Sequence, residues 1–109
     1  MAEVLVVSEI SLPGPLPGQS GRSSDNFDLD QTPSNAQSFR FEVESSLRPE
    51  DIPNIRFDIV DDISSGSDKT LYSGVHNGYV GSVRRDYGVY IVYKSGTSKP
   101  FKVKIYAIV

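Results

Sequence analysis

The chain of 109 residues contains no cysteine, which excludes a disulfide framework, a thiolate metal site and a thiol nucleophile. It contains one histidine, His76. A Cys/His nucleophile pair is therefore excluded, and a zinc site lacks ligands. No G-x-S-x-G elbow or similar context supports a Ser-His-Asp triad. These absences point away from an enzyme. Long apolar runs are also missing: Val4 to Val7 is far shorter than the roughly 20 residues of a membrane-spanning helix, so no membrane insertion is expected. The stretch from Met1 to Ser11 has neither the basic start nor the apolar core of a signal peptide, which leaves the compartment unspecified. A positive balance is lacking too. The net charge is -3, which argues against nucleic acid as a partner.

What is present describes a small globular domain. Hydrophobic residues make up 38% and charged residues 23% of the total, above the composition of disordered segments. A globule of this size buries about two-thirds of its unfolded surface, enough for one core. Charge is unevenly distributed. Residues 1–68 hold 13 acids and 4 bases, a balance of -9, whereas residues 69–109 hold 1 acid and 7 bases, a balance of +6. Either acidic and basic strands neighbour each other and neutralise across a sheet, or the molecule is bipolar and associates head to tail or docks an oppositely charged partner. The alternative to a binding module is then a structural subunit that forms a homo-oligomer through charged edges or exchange of the N-terminal arm 1–36.

The sequence opens with a β-branched apolar run over residues 2–10, expected to be a strand. Residues 11–36 follow with four prolines (Pro13, Pro15, Pro17, Pro33) and three glycines, and cannot sustain a helix or a central strand. This stretch is a loop or an arm, anchored through Phe27 and Leu29, so 1–36 is read as a strand plus arm and 37–109 as the body of one domain. From Gln37 onward apolar residues recur with period two, the signature of half-buried strands. Phe39, Phe41 and Val43 alternate with Arg40 and Glu42, and Ile55, Phe57 and Ile59 with Arg56 and Asp58. Between them SLRPEDIP is a loop able to hold one helical turn. KTLYSGVHNGYVGSV reads as a hairpin turning at Asn77-Gly78. GVYIVYK and PFKVKIYAIV supply the last two strands. No window carries a 3.6-residue apolar stripe. Seven or so short strands separated by turns make an all-β antiparallel β-sandwich or a small barrel.

Two features carry candidate chemistry. All six tyrosines fall within the last 38 residues, and Tyr90 and Tyr106 are expected to face away from the core. Together with Tyr72, Tyr79, Arg84 and Arg85 they form the candidate surface for a protein or carbohydrate ligand, because a tyrosine ring offers a flat apolar face and a polar tip. Asp58, Asp61, Asp62 and Asp68 around the DDISSGSD loop are the candidate calcium ligands, with Asp25, Asp28 and Asp30 a weaker set. Neither matches the twelve-residue calcium loop, and no other cofactor is expected.

The segment DYGVYIVYKSGTSKPFKVKIYAIV resembles the end of bacterial pre-peptidase C-terminal domains, with Gly88, Tyr90, Ser95, Gly96, Phe101, Val103 and Ile105 in the places of that family's last two strands. SFRFEVE and IRFDIVDD are similar in kind to its first core strands, so the resemblance spans residues 37–109. It implies a jelly-roll-like sandwich acting as a non-catalytic accessory domain of secreted proteins, sometimes stabilised by calcium. No functional residue carries over from it.

Overall fold

A computed structural model describes residues 2–14, 22–44, 47–63 and 66–109. Two four-stranded antiparallel sheets face each other. One has the order β1 (Glu3–Leu12), β8 (Phe101–Ile108), β3 (Ser38–Val43), β6 (Val80–Ser82). The other has the order β2 (Phe27–Asp28), β7 (Tyr87–Ser95), β4 (Arg56–Asp61), β5 (Lys69–Val75). Six of the seven connections pass from one sheet to the other, and only β4 to β5 stays within a sheet. This is the order of an eight-stranded jelly roll. One 3-10 turn, Ile52–Asn54, supplies the helical turn of the SLRPEDIP loop.

Alternation decides what goes inside. Phe39, Phe41 and Val43 of β3, Phe57 and Ile59 of β4, Val89 and Ile91 of β7, and the four apolar residues Phe101, Val103, Ile105 and Ala107 of β8 meet in one core. Ile10, Leu12 and Leu29 from the N-terminal third join it. Fully burying such side chains contributes about 1.5–3 kcal/mol each relative to exposure, so β1 and the segment around Leu29 are integral to the body.

The Pro/Gly-rich stretch is, over its described part, a strap lying along β7. Ser23 bridges to Val92, Phe27 and Asp28 pair with β7, and Leu29 N–H donates to Asp86 O at 2.6 Å. Its remaining prolines and glycines, at positions 15–21, lie outside the described residues.

Asn77-Gly78 does not turn a hairpin. It leads from β5 in one sheet to β6 in the other. Tyr79 N–H closes the turn on His76 O at 2.9 Å, and Gly78 alone of these four residues has a positive φ, +85°, as the third residue of a type II turn requires. The turn also extends the seam along β3. Phe41 N–H donates to Tyr79 O at 3.0 Å, Gly78 N–H donates to Phe41 O at 2.8 Å, and Val43 N–H donates to Asn77 Oδ1 at 2.9 Å.

Topology also settles the uneven charge. The basic strand β8 lies between the acidic strands β1 and β3, so Lys102 pairs with Glu9 at 2.7 Å, Arg40 of β3 with Glu3 of β1 at 2.6 Å, and Lys104 with Glu44 at 3.8 Å. Water and salt screen such exposed pairs, so they add little to stability. Their consequence is local neutralisation between neighbouring strands of this sheet.

Candidate functional site

The six tyrosine and arginine candidates do not form one surface. Tyr106 lies on the outer face of the β1–β8–β3–β6 sheet, where Arg40 covers its ring at 4.6 Å from the centroid. Tyr90 lies on the outer face of the opposite sheet, and its hydroxyl donates to Asp68. That bond, before partial burial, pushes the Tyr90 hydroxyl up to about 12. The expectation that Tyr90 and Tyr106 share a face fails because β7 and β8 belong to different sheets.

Tyr72 is 5% exposed and packs edge-on against Phe41 at 5.3 Å. It is one of the residues expected on the candidate ligand surface, but a bulge in β5 turns it inward. Val75 opposes Phe57 and Tyr72 opposes Ile59, so that Ser73 and Gly74 of β5 stand against Asp58 alone of β4, and both Tyr72 and Val75 turn inward. Gly74 N–H donates to Asp58 Oδ1 at 2.9 Å in this bulge. Tyr79 is half-buried against Phe41 at 6.0 Å, and Arg84 sits 5.8 Å above the Tyr72 ring. Arg85 donates to Pro33 O at 3.0 Å. These side chains close the β5/β6 side of the sandwich. There the Tyr72 hydroxyl donates to Ser82 O, and a Cβ added at Gly81 would stand 2.7 Å from the Tyr72 ring.

Burial pushes the Tyr72 hydroxyl up to about 12 from its ordinary 10.0. The folded state therefore holds a proton that the unfolded state releases, so this contribution is complete below pH 10 and declines as pH rises towards 12. The expected loss for the native protein is on the order of 2 kcal/mol. Tyr72→Phe lacks the bond to Ser82 and starts about 1 kcal/mol less stable. It should lose less than the native protein over that window. Urea midpoints measured across the same pH range check this, and parallel declines would contradict it.

The candidate calcium ligands are spread. Asp58 and Asp61 point to opposite faces of β4, since Asp58 opposes Val92 and Asp61 opposes the core residue Val89. Asp58 is engaged by Gly74 N–H and by Lys94 at 3.3 Å, Asp62 by Asn26 at 3.0 Å, and Asp68 by Ile63 N–H at 3.1 Å. Asp28 Oδ1 accepts from Gly88 N–H at 3.1 Å. Asp30 is exposed. Among the described residues no three His, Cys, Asp or Glu side chains are grouped to hold a metal ion. His76 rests edge-on against Tyr79 at 5.6 Å, with Nδ1 3.1 Å from Asn77 O.

Space remains in two places: in an open cleft of about 440 Å³ lined by Asp61, Asp62, Ile63, Arg85, Asp86 and Tyr87, and on the opposite side of the sandwich. Between the C-terminal half of β1 and the strap lies a cleft of about 470 Å³. Ser11 and Pro13 form one wall, Ser23 and Asp25 the other, Pro100 and Lys102 the end, and Leu12 and Phe101 the floor. A smaller cavity of about 230 Å³ shares Ser11 and Asp25 with it and reaches Glu9, Asn26 and Phe27. The larger cleft is within the range of small-ligand pockets. Alternation along one strand cannot reveal it, because its walls come from segments about 12 and 90 residues apart in sequence. Arg22 secures the strap at the end of this cleft: its guanidinium donates to Pro13 O, Thr97 O and Lys99 O at 2.7–2.8 Å and lies 4.3 Å over the Tyr93 ring.

β1 also leaves a sheet edge open. Ala2 and Val109 exchange both backbone bonds, so by antiparallel alternation the N–H and C=O of Glu3 and Leu5 point away from β8. Leu5 and Val4 are 46% and 40% exposed. Among the described residues, no backbone N–H or C=O outside β8 meets β1 before Leu12. No family model, no curated protein and no solved structure matches the sequence.

Proposed function

We propose that the protein is a non-catalytic jelly-roll binding module that takes an extended segment of a partner protein against β1 and its cleft. The observation carrying this reading is the coincidence of an unpaired strand edge with the cleft between β1 and the strap. An added strand uses main-chain hydrogen bonds for affinity and alternate side chains for specificity, and the cleft floor of Leu12 and Phe101 suits one apolar side chain of that segment. A carbohydrate ligand is the weaker reading. Sugar sites use exposed aromatic faces, whereas Phe101 in the cleft floor is buried, and the rings of Tyr93 and Tyr106 are covered by Arg22 and Arg40. The likeness to pre-peptidase C-terminal domains rests on the sequence of residues 37–109 alone. The accessory role and secreted setting of that family fit a binding module.

The test is selection from a displayed library of random peptides, followed by amide chemical-shift mapping of the bound peptide. Shifts at Leu5, Ser11, Asp25 and Lys102, and at least a ten-fold affinity loss in Ser11→Trp, are expected; one apolar anchor filling a pocket accounts for such a factor. Shifts confined to Tyr87, an aromatic residue 70% exposed that does not line the cleft, or hits on a glycan array with none from the library, would overturn it. Self-association through the same edge is the competing occupant. A concentration-dependent dimer in sedimentation, lost in a Leu5→Lys variant, would favour assembly over recognition.

A further inference from the structure

Asn77-Gly78 is the one Asn-Gly pair in the sequence; Asn26, Asn35 and Asn54 precede Phe27, Ala36 and Ile55. In such a pair the glycine amide nitrogen can attack the asparagine side chain, since no Cβ on the next residue crowds the approach. Both residues are exposed to water, so the solvent needed for the reaction is at hand. The fold nevertheless commits both reacting groups to hydrogen bonds with β3. Gly78 N–H is committed to Phe41 O at 2.8 Å, and Asn77 Oδ1 accepts from Val43 N–H at 2.9 Å. The nucleophile and the electrophile are thus tied to separate points on β3.

We propose that Asn77-Gly78 is a self-modification site gated by the fold, silent while the turn is seated on β3 and reactive once it lifts off. In the open state the Gly78 nitrogen, its proton lost to hydroxide, bonds to Asn77 Cγ. The bond from Cγ to Nδ2 breaks, and the amide nitrogen leaves as ammonia with a proton taken from water. The resulting five-membered imide is opened by water at either carbonyl, giving aspartate or isoaspartate. Overall one water is consumed and one ammonia released, with no change of oxidation state.

The two products differ in what they allow afterwards. Aspartate keeps an acceptor oxygen where Asn77 Oδ1 caps Val43 N–H, so the turn can reseat. Isoaspartate routes the backbone through the side chain and adds one carbon between residues 77 and 78. The spacing between the Val43 cap and the Gly78–Phe41 bond is then lost together with the β3–β6 seam. A molecule that has opened therefore keeps a lasting mark of having done so.

The full-length protein is incubated in mildly alkaline buffer, native in one arm and in concentrated urea in the other, and the tryptic peptide Thr70–Arg84 is analysed by mass spectrometry with isoaspartate-specific methylation. Conversion in urea should be at least about ten-fold faster than in the native protein, the native rate being set by opening of the turn. Gly78→Ala should suppress the reaction in urea. Isoaspartyl protein returned to native buffer should unfold at a lower temperature than the Asn77→Asp variant. Equal rates in the two arms would overturn the gating. An isoaspartyl form as stable as Asn77→Asp would overturn the lasting mark.

Discussion

Gly96→Ala should destabilise the fold by on the order of 4 kcal/mol, combining a backbone conformation alien to L side chains with steric overpacking. Gly96 turns the backbone from β7 into β8 with φ of +114°. A Cβ there would stand 2.4 Å from Asn54 O and 2.5 Å from Ile55 Cα. Both are backbone atoms, at the end of the 3-10 turn where β4 begins, so no side-chain rotation relieves the clash. The corner must move away from β4, which strains the pairing of Arg56 with Ser95 and uncovers the buried Ile55 beneath it. Domains of this size have about 5–15 kcal/mol of stability in all, and each kcal/mol is worth about 4–8 °C. The melting temperature should therefore fall by roughly 20 °C, read by circular dichroism. Gly78→Ala is the control. It too has a positive φ, +85°, but nothing stands within 4 Å of its added Cβ, so it should cost only about 1 kcal/mol. Equal effects of the two substitutions would show that the close approach to Asn54 contributes nothing.

The strands legible in the sequence are those whose alternation runs without interruption. Phe39, Phe41 and Val43, then Phe57 and Ile59, then Phe101 to Ala107, reach the core in the expected phase. Legibility ends where the backbone breaks the period. At the β5 bulge one extra residue carries Tyr72 inward and makes Asp58 the partner of Gly74 N–H, so a presumed surface tyrosine and a presumed metal ligand are both structural. Asn77-Gly78 is legible as a turn but not as a passage between sheets, because turn chemistry fixes local φ and ψ and says nothing of which neighbour the next strand finds. The cleft is illegible for a related reason. Ser11, Asp25 and Lys102 converge only because the strand order brings β1 and β8 together beside the strap.

Arg22→Leu should detach the strap and lower stability by about 3–5 kcal/mol, since three carbonyls lose their donor and each buried acceptor left unsatisfied costs about 1–3 kcal/mol. Arg22 is 7% exposed and has no carboxylate partner among the described residues. Burial lowers its pKa, though a guanidinium remains charged at any working pH. Three carbonyls and the Tyr93 face stand in for the lost water. Pro13 O lies just beyond β1 and Thr97 O and Lys99 O in the β7–β8 turn, so this guanidinium joins three segments where the cleft ends. Lysine keeps the charge but cannot present the planar fork, and Arg22→Lys should recover less than half of the loss. Hydrogen exchange separates local from global effects. In Arg22→Leu the amides of Ser24, Leu29 and Tyr93, which bond to Ile91 O, Asp86 O and Arg22 O, should lose protection well before those of β3 and β8. Uniform loss across all strands would mean that Arg22 supports the whole core and not the strap. Because the strap supplies the Ser23–Asp25 wall, a detached strap should also abolish peptide binding while the two sheets remain folded, which ties the proposed function to the buried charge that holds its site together.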